Sequence, residues 1–261
     1  LPDAAAEAKP GTAVLLIGVL DKVGTFGMIR YCLPIFPAAS EFYAPVVIGM
    51  ALIGIFYGAF VALSQTDMKR LFAYSSMSHF GFIALGIFVF TSQGQSGSVV
   101  YMVAHGLSTA ALFLTAGFLM SRYHGSSAIS DYSGVNKAAP VLAGFFMIAA
   151  LSSLALPGLI SFVGEFLVLL GAFERYLWVG ALATVGIVIT AAYVLRLYQR
   201  TMTGPLKPEV CPTTICAAAD AVMHRPRTAA SQCTTRFIFD LRVRRHGAPE
   251  PASVASLRGR R

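Results

Sequence analysis

Four side chains of types that hold or pass protons stand in otherwise apolar stretches of this 261-residue sequence: Lys22, His79, His105 and Glu165. Lys22 follows Asp21 in the run Gly18-Val19-Leu20-Asp21-Lys22-Val23-Gly24. A charge at the centre of a membrane helix costs roughly 2.5–3.5 kcal/mol on insertion scales, so it is kept only where it faces protein or water. Asp21 and Lys22 could neutralise each other. Adjacent helical side chains diverge by about 100°, however, which predicts a separate partner for each. Lys22 is the functional candidate of the two, and the role of Asp21 stays open.

His79 lies four residues after Ser75, beside Ser76 and Ser78. That spacing puts Ser75 and His79 on one face, where they could pass a proton or hold a water. A lone intramembrane imidazole is often just hydrogen-bonded to a neighbouring helix, but the serine-rich face favours a hydrated path. His105 reaches Ser108 and Thr109 at i+3 and i+4, and Gly106 can loosen the helix there. Glu165 shares a face with Ser161 and lies two turns beyond Leu156-Pro157-Gly158. Two histidines in successive spans that neighbour a buried Lys and a buried Glu describe a proton path better than any one of them does.

The elements that must hold these residues are membrane helices. Hydrophobic residues make up 56% of the chain, charged residues 12%, and mean hydropathy is +0.68. A soluble domain carries about 25% charged residues. The expected fold class is therefore an all-α membrane protein with about six transmembrane helices. The spans are placed at Thr12 to Leu33, Val46 to Leu63, Leu71 to Thr91, Val99 to Ser121, Ala138 to Phe173, and Leu177 to Tyr198. The fifth is too long for one straight crossing, which needs about 20 apolar residues. Pro157 removes an amide and Gly158 adds backbone freedom, so a helix broken near its middle is expected over 138–173. Gly54-x-x-x-Gly58 puts two small residues on one face and signals close helix approach. Asp67 is placed to cap the third span, and Lys69 and Arg70 read as surface anchors.

The net charge of +8 does not point to nucleic acid, because it is concentrated at one end. Residues 1–206 hold ten Lys and Arg against eight Asp and Glu, whereas residues 207–261 hold ten against four. With six crossings, Lys69, Arg70, Arg122, Lys137, Arg200 and Lys207 fall on the side of Leu1, and mainly Arg30 and Arg175 on the other. The positive-inside rule then puts the Leu1 end and the tail in the cytoplasm. Cys32, Cys211, Cys216 and Cys233 match no zinc or haem spacing. No metal site is expected. The chain opens on Leu1 without an initiator Met, as a fragment would. From Lys207 onward the composition turns to Arg, Ala, Thr, Ser and Pro, which predicts a disordered basic tail. Two accounts of that tail stay open: a segment lying on anionic lipid, or a coding frame lost near Lys207.

Several blocks resemble the antiporter-like membrane subunits of respiratory complex I, the NADH–quinone oxidoreductase, with the subunit M branch the nearest. They are Leu1-Pro2-Asp3-Ala4 with Glu7-Ala8 and Pro10-Gly11-Thr12, then Gly18 through Arg30, and Ala62 through Gly81. Met102-Val103-Ala104-His105-Gly106-Leu107-Ser108 and Leu156-Pro157-Gly158 with Phe162-Val163-Gly164-Glu165-Phe166 complete the set. The resemblance covers about residues 1–206. It implies the second inverted half-repeat of the antiporter-like fold, a partial proton-translocating domain over 1–206. It also implies a relay of Lys22, His79, His105 and Glu165, with Glu165 the terminal exchange residue and Lys22 the central one. Asp21, Ser75, Ser108 and Ser161 are the supporting candidates.

In that family the proton path is driven by quinone reduction in other subunits. The resemblance thus implies no cofactor in this chain, with NADH, FMN, iron–sulfur clusters and quinone held by partner subunits. The implied partners are the other membrane subunits, especially neighbouring antiporter-like ones, and the lipid bilayer of a bacterial inner membrane. Alternatives are a subunit of a sodium/proton antiporter or membrane-bound hydrogenase, an intramembrane zinc enzyme using Glu165, His79 and His105, and a non-functional fragment. No His-Glu-x-x-His helix supports the zinc reading.

Overall fold

A computed structural model describes residues 2–122 and 125–205. The expectations for 207–261 lie outside the described residues. The described chain is helical, with no β-strand among these residues. A short α1 (Pro2–Glu7) leads into α2 (Pro10–Ile35), α3 (Pro37–Ser64), α4 (Met68–Phe88) and α5 (Ser92–Arg122). These are followed by α6 (Pro140–Ser153), α7 (Ile160–Arg175) and α8 (Leu177–Met202). Five of them, α2 to α5 and α8, are long and apolar enough to cross a membrane.

Local chemistry marks the helix starts. Pro10, Pro37 and Pro140 stand at first helical positions, where the missing amide costs nothing and φ is already set. Asp67 caps α4 as expected, its carboxylate accepting from the Arg70 amide at 3.0 Å. Phe36, the lone residue between α2 and α3, sits outside helical φ/ψ, as a residue before proline tends to. From there α2 turns away and lies against α5.

The remaining span, fifth in chain order, is made by two pieces. α6 runs along the C-terminal half of α5, packing Phe146 near Phe72, which in turn touches Phe113. At its end Ser152 meets Ser108 in mid-α5. α7 starts at the same level, with Ser161 beside Ser108. It then follows the other half of α5, where Gly164 abuts Tyr101 and Gly171 abuts Gly94. The expected break over 138–173 is therefore a single crossing, interrupted halfway.

The break has a defined geometry. The Ala155 amide bonds the Ser152 carbonyl at 3.1 Å and the Leu156 amide bonds the Leu151 carbonyl at 3.2 Å. These two bonds make a Schellman ending of α6, with Ala155 in the left-handed position at φ 54°. Gly158 follows at φ 105°, a conformation that suits glycine.

Three sequence expectations need correction. α3 and α5 begin at Pro37 and Ser92, well ahead of Val46 and Val99. The stretch Ser92-Gln93-Gly94-Gln95-Ser96-Gly97-Ser98 reads as a loop, yet it is helical because Gly94 and Gly97 pack directly against α7. Of the Gly54/Gly58 pair only Gly58 is in close contact, against Tyr74 and Ser78, while Gly54 faces open space. Lys69 is not a free anchor. Its ammonium donates to the Ala6 and Ala8 carbonyls and closes the end of α1. Arg70 does reach an exposed partner, Asp3 at 3.4 Å.

The core divides into two apolar clusters, one toward each end of the bundle. The first gathers Phe72, Leu112, Phe113, Phe146, Tyr193 and Leu197. The second gathers Ile55, Phe82, Leu85, Met102, Val168 and Val179. On α4 the stretch between them is Ser75 to His79, on α5 it is Ala104 to Thr109, and on the broken crossing it is Ser152 to Glu165. A polar layer thus lies across the middle of the bundle, where the site is built. His79, near the midpoint of α4, is about 15 Å from either end at 1.5 Å per residue.

Candidate functional site

Lys22 stands at the middle of α2, just after a π-helical turn over Leu16–Leu20. A π turn widens the helix and offsets its carbonyls. The Lys22 ammonium donates to the Ile17 carbonyl at 3.1 Å and to Asp21 Oδ2 at 3.1 Å. Separate partners were expected for Asp21 and Lys22, but the two pair with each other. The four-carbon lysine stem is long enough to curl back across the angle between neighbouring residues. Both side chains are largely out of solvent, at 12% and 16% exposure.

α2 meets α5 where Gly18 lies against Gly106, so close that a Cβ on Gly106 would sit 2.7 Å from the Gly18 carbonyl oxygen. Gly106 was expected to loosen its helix. It serves instead as a crossing point, with Lys22 one turn beyond Gly18 on α2.

The two imidazoles face each other, with ring centroids 5.0 Å apart. Both are buried, as is Glu165 at 4% exposure. His79 Nδ1 lies 2.7 Å from the Tyr101 hydroxyl, and that hydroxyl donates to Glu165 Oε2 at 3.3 Å. A chain of neighbouring polar groups therefore runs from His105 through His79 and Tyr101 to Glu165, with Lys22 on the helix that crosses α5 at Gly106. Two buried atoms in this layer, His79 Nε2 and Ser76 Oγ, have no hydrogen-bond partner. Buried polar atoms are almost always satisfied, by water if not by protein, so among the described residues these two stand out.

The supporting candidates divide. His105 lies within 3.3 Å of Thr109 Oγ1 by its Nδ1, as the i+4 spacing requires. Ser108 does not bond His105. It donates to the Ala104 carbonyl and joins Ser152 at 2.5 Å and Ser161 at 3.3 Å. Ser152 and Ser161 are 3.2 Å apart, so three hydroxyls from α5, α6 and α7 meet at the break. Ser161 thus serves the break and makes no bond to Glu165. Ser75 shares a face with His79, yet its hydroxyl turns to Tyr193 on α8 at 2.7 Å. Small voids border this pair, lined by Leu71, Tyr193 and Leu197, each with room for about one water.

Three contributors were missed from sequence: Tyr101, Tyr193 and Ser152. Each sits in a largely apolar run where a tyrosine or a small serine reads as packing. The signal that was available for Tyr101 is its i+4 spacing to His105. Among the described residues, no three His, Cys, Asp or Glu side chains come together as metal ligands.

Residues 1–190 match the family described as NADH:quinone oxidoreductase/Mrp antiporter, TM. The chain belongs to that family. Within this NADH:quinone oxidoreductase/Mrp antiporter family, it is 59% identical over 206 residues to NADH-quinone oxidoreductase subunit M of Mycobacterium tuberculosis strain H37Rv. That match covers 79% of this chain and 37% of the relative. Subunit M of Rickettsia bellii is 45% identical over 206 residues, covering 79% of this chain and 42% of its own length. The chain thus spans about two-fifths of the length of these curated relatives. A chain of respiratory complex I from Thermus thermophilus with bound NADH superposes with a TM-score of 0.72 at 36% identity. It covers 81% of this chain and 45% of that one. A chain of the Mrp complex from Dietzia sp. DQ12-45-1b shares the fold, with a TM-score of 0.75 at 23% identity, covering 79% and 39%.

Proposed function

We propose that this chain is a proton-translocating membrane subunit of an NADH–quinone oxidoreductase. Lys22, His105, His79 and Glu165 form its relay, coupled to quinone reduction in other subunits. The observation that carries the reading is the buried line of ionisable groups across the middle of the bundle, ending on Glu165 just beyond a broken helix. Ionisable groups inside a membrane are costly and mark ion pathways, and a broken helix supplies freed backbone and room for water. Removing a Lys or a Glu from water disfavours its charged form, so a charge that moves nearby can load or release a proton. The 59% identity to a subunit M over 206 residues supports the redox-coupled reading over a sodium/proton antiporter, to which likeness is one of fold.

On this reading the partners are the other membrane subunits of the complex, antiporter-like neighbours among them. NADH, FMN, iron–sulfur clusters and quinone belong to those partners, and this chain carries no redox centre. The location is a bacterial inner membrane with the Leu1 end in the cytoplasm. Lys22→Ala and Glu165→Gln, made separately in the assembled complex in its own membranes, test the reading. Each should abolish or strongly reduce NADH-driven proton pumping. Wild-type pumping with normal assembly in both variants removes the assignment.

A further inference from the structure

We infer that the Tyr101 hydroxyl is the proton bridge between His79 and Glu165, which makes it a further member of the proposed relay. The inference rests on that relay being a proton path, and it names the group without which the path has a gap. Glu165 has one hydrogen-bonding side chain among the described residues, and that is Tyr101. The hydroxyl lies between the imidazole, 2.7 Å away, and the carboxylate, 3.3 Å away.

Backbone contacts hold the bridge in place. Gly164, the residue before Glu165, rests against the Tyr101 backbone so closely that an added Cβ would lie 2.7 Å from Tyr101 N, Cα and Cβ. Any side chain larger than hydrogen at 164 would separate the carboxylate from the hydroxyl. The Tyr101 ring is 1% exposed and stands edge-on to His79, with the ring planes at 88°.

The proton count closes on this geometry. Tyr101 has one proton and donates it to Glu165, so its oxygen accepts from His79 Nδ1–H. A neutral His79 then has a bare Nε2, the nitrogen that is buried and unpartnered. A proton arriving at Nε2 forms a new N–H bond there. The Nδ1–H proton passes to the Tyr101 oxygen as the tyrosine O–H proton passes to the Glu165 carboxylate. One proton enters at Nε2 and one O–H bond forms on Glu165. Tyr101 is neutral before and after, and no charge remains on His79. The set returns when Glu165 releases its proton outward and His79 changes tautomer, giving up its Nε2–H proton as one returns to Nδ1, so that the imidazole holds one proton before and after.

Tyr101→Phe keeps the ring and removes only the hydroxyl, so it separates bridging from packing. In the assembled complex it should lose most of its proton pumping. In infrared difference spectra the carbonyl stretch of protonated Glu165, assigned by its disappearance in Glu165→Gln, should shift. Wild-type pumping in Tyr101→Phe while Lys22→Ala has lost it overturns the bridge and leaves the proposed function standing. Wild-type pumping in Lys22→Ala, Glu165→Gln and Tyr101→Phe alike overturns both. A loss of pumping with the Glu165 band unmoved assigns Tyr101 to packing and also overturns the bridge. Should Tyr101→Phe fail to assemble, a difluorotyrosine at position 101 keeps the shape and makes the hydroxyl more acidic. The Glu165 band must then move, and an unmoved band overturns the bridge.

Discussion

Ala155 occupies a backbone position that an L side chain adopts at a cost of roughly 1–2 kcal/mol, because its Cβ crowds the following carbonyl. It does so at φ 54° while closing the end of α6. Ala155→Gly should therefore raise the thermal stability of the purified protein by about 0.5–1 kcal/mol, once the extra freedom of glycine in the unfolded chain is allowed for. An unchanged or lower melting temperature would show that the turn carries no strain. The opposite change at Gly158, Gly158→Ala at φ 105°, should lower stability by about 1 kcal/mol or more. At this scale the sequence was legible where chemistry is rare in a membrane. Lys22, His79, His105 and Glu165 stand out because a charge or an imidazole among leucines needs a reason. Tyr101 and Ser152 do not stand out, since a tyrosine or serine in a helix is equally at home in packing. Only the three-dimensional neighbourhood, an imidazole on one side and a carboxylate on the other, distinguishes Tyr101 from Tyr132, which is equally buried.

Helices in this bundle approach each other through glycine. α5 meets α7 along Gly94, Gly97, Gly164 and Gly171, and α2 meets α5 at Gly18 and Gly106. Without a hydrophobic drive between helices in lipid, close van der Waals contact is what small residues provide. Gly106→Ala places a methyl 2.7 Å from the Gly18 carbonyl oxygen, and the oxygen is backbone that cannot swing aside. It should push α2 off α5, destabilise the protein by about 1–3 kcal/mol, and weaken pumping by moving Lys22 with α2. Gly54→Ala is the internal comparison, because nothing lies within 4 Å of its added Cβ. It should leave the melting temperature unchanged or raise it, as alanine favours helix by about 1 kcal/mol over glycine. Equal effects of the two substitutions would show that the α2–α5 crossing is not tight. The crossings themselves were legible as apolar runs, and the break was legible from Pro157-Gly158. The start of α5 was not, because tertiary contacts at Gly94 and Gly97 make a helix of residues that locally favour a loop. The partner of each glycine was likewise beyond reach, since spacing along one helix says nothing about the helix opposite.

One end of the bundle is tied together by its loops. Lys69 reaches α1, the Met68 amide bonds the Ser127 carbonyl at 2.9 Å, and the Gly134 amide bonds the Thr203 carbonyl at 3.1 Å. The segments around residues 8, 66, 127 and 203 therefore share a side, as six alternating crossings require, and the basic residues concentrate there. We predict that this side is cytoplasmic. A cysteine at Ser130 should react with a membrane-impermeant thiol reagent in inside-out vesicles, and one at Gln93 in intact cells. The reverse pattern would invert the topology. The polar layer between the two apolar clusters has a consequence for energetics. His79, His105, Tyr101 and Glu165 stand side by side across neighbouring helices near the middle of the bundle, so on the proposed relay a proton passed among them would move mainly across the bundle rather than along it. The transmembrane potential does work of about 2.3 kcal/mol per charge per 100 mV only on displacement along the membrane normal. On the proposed relay, that lateral leg would be close to electrically silent. We predict that the voltage dependence of the proposed relay falls on the steps that bring a proton up to this layer and carry it away.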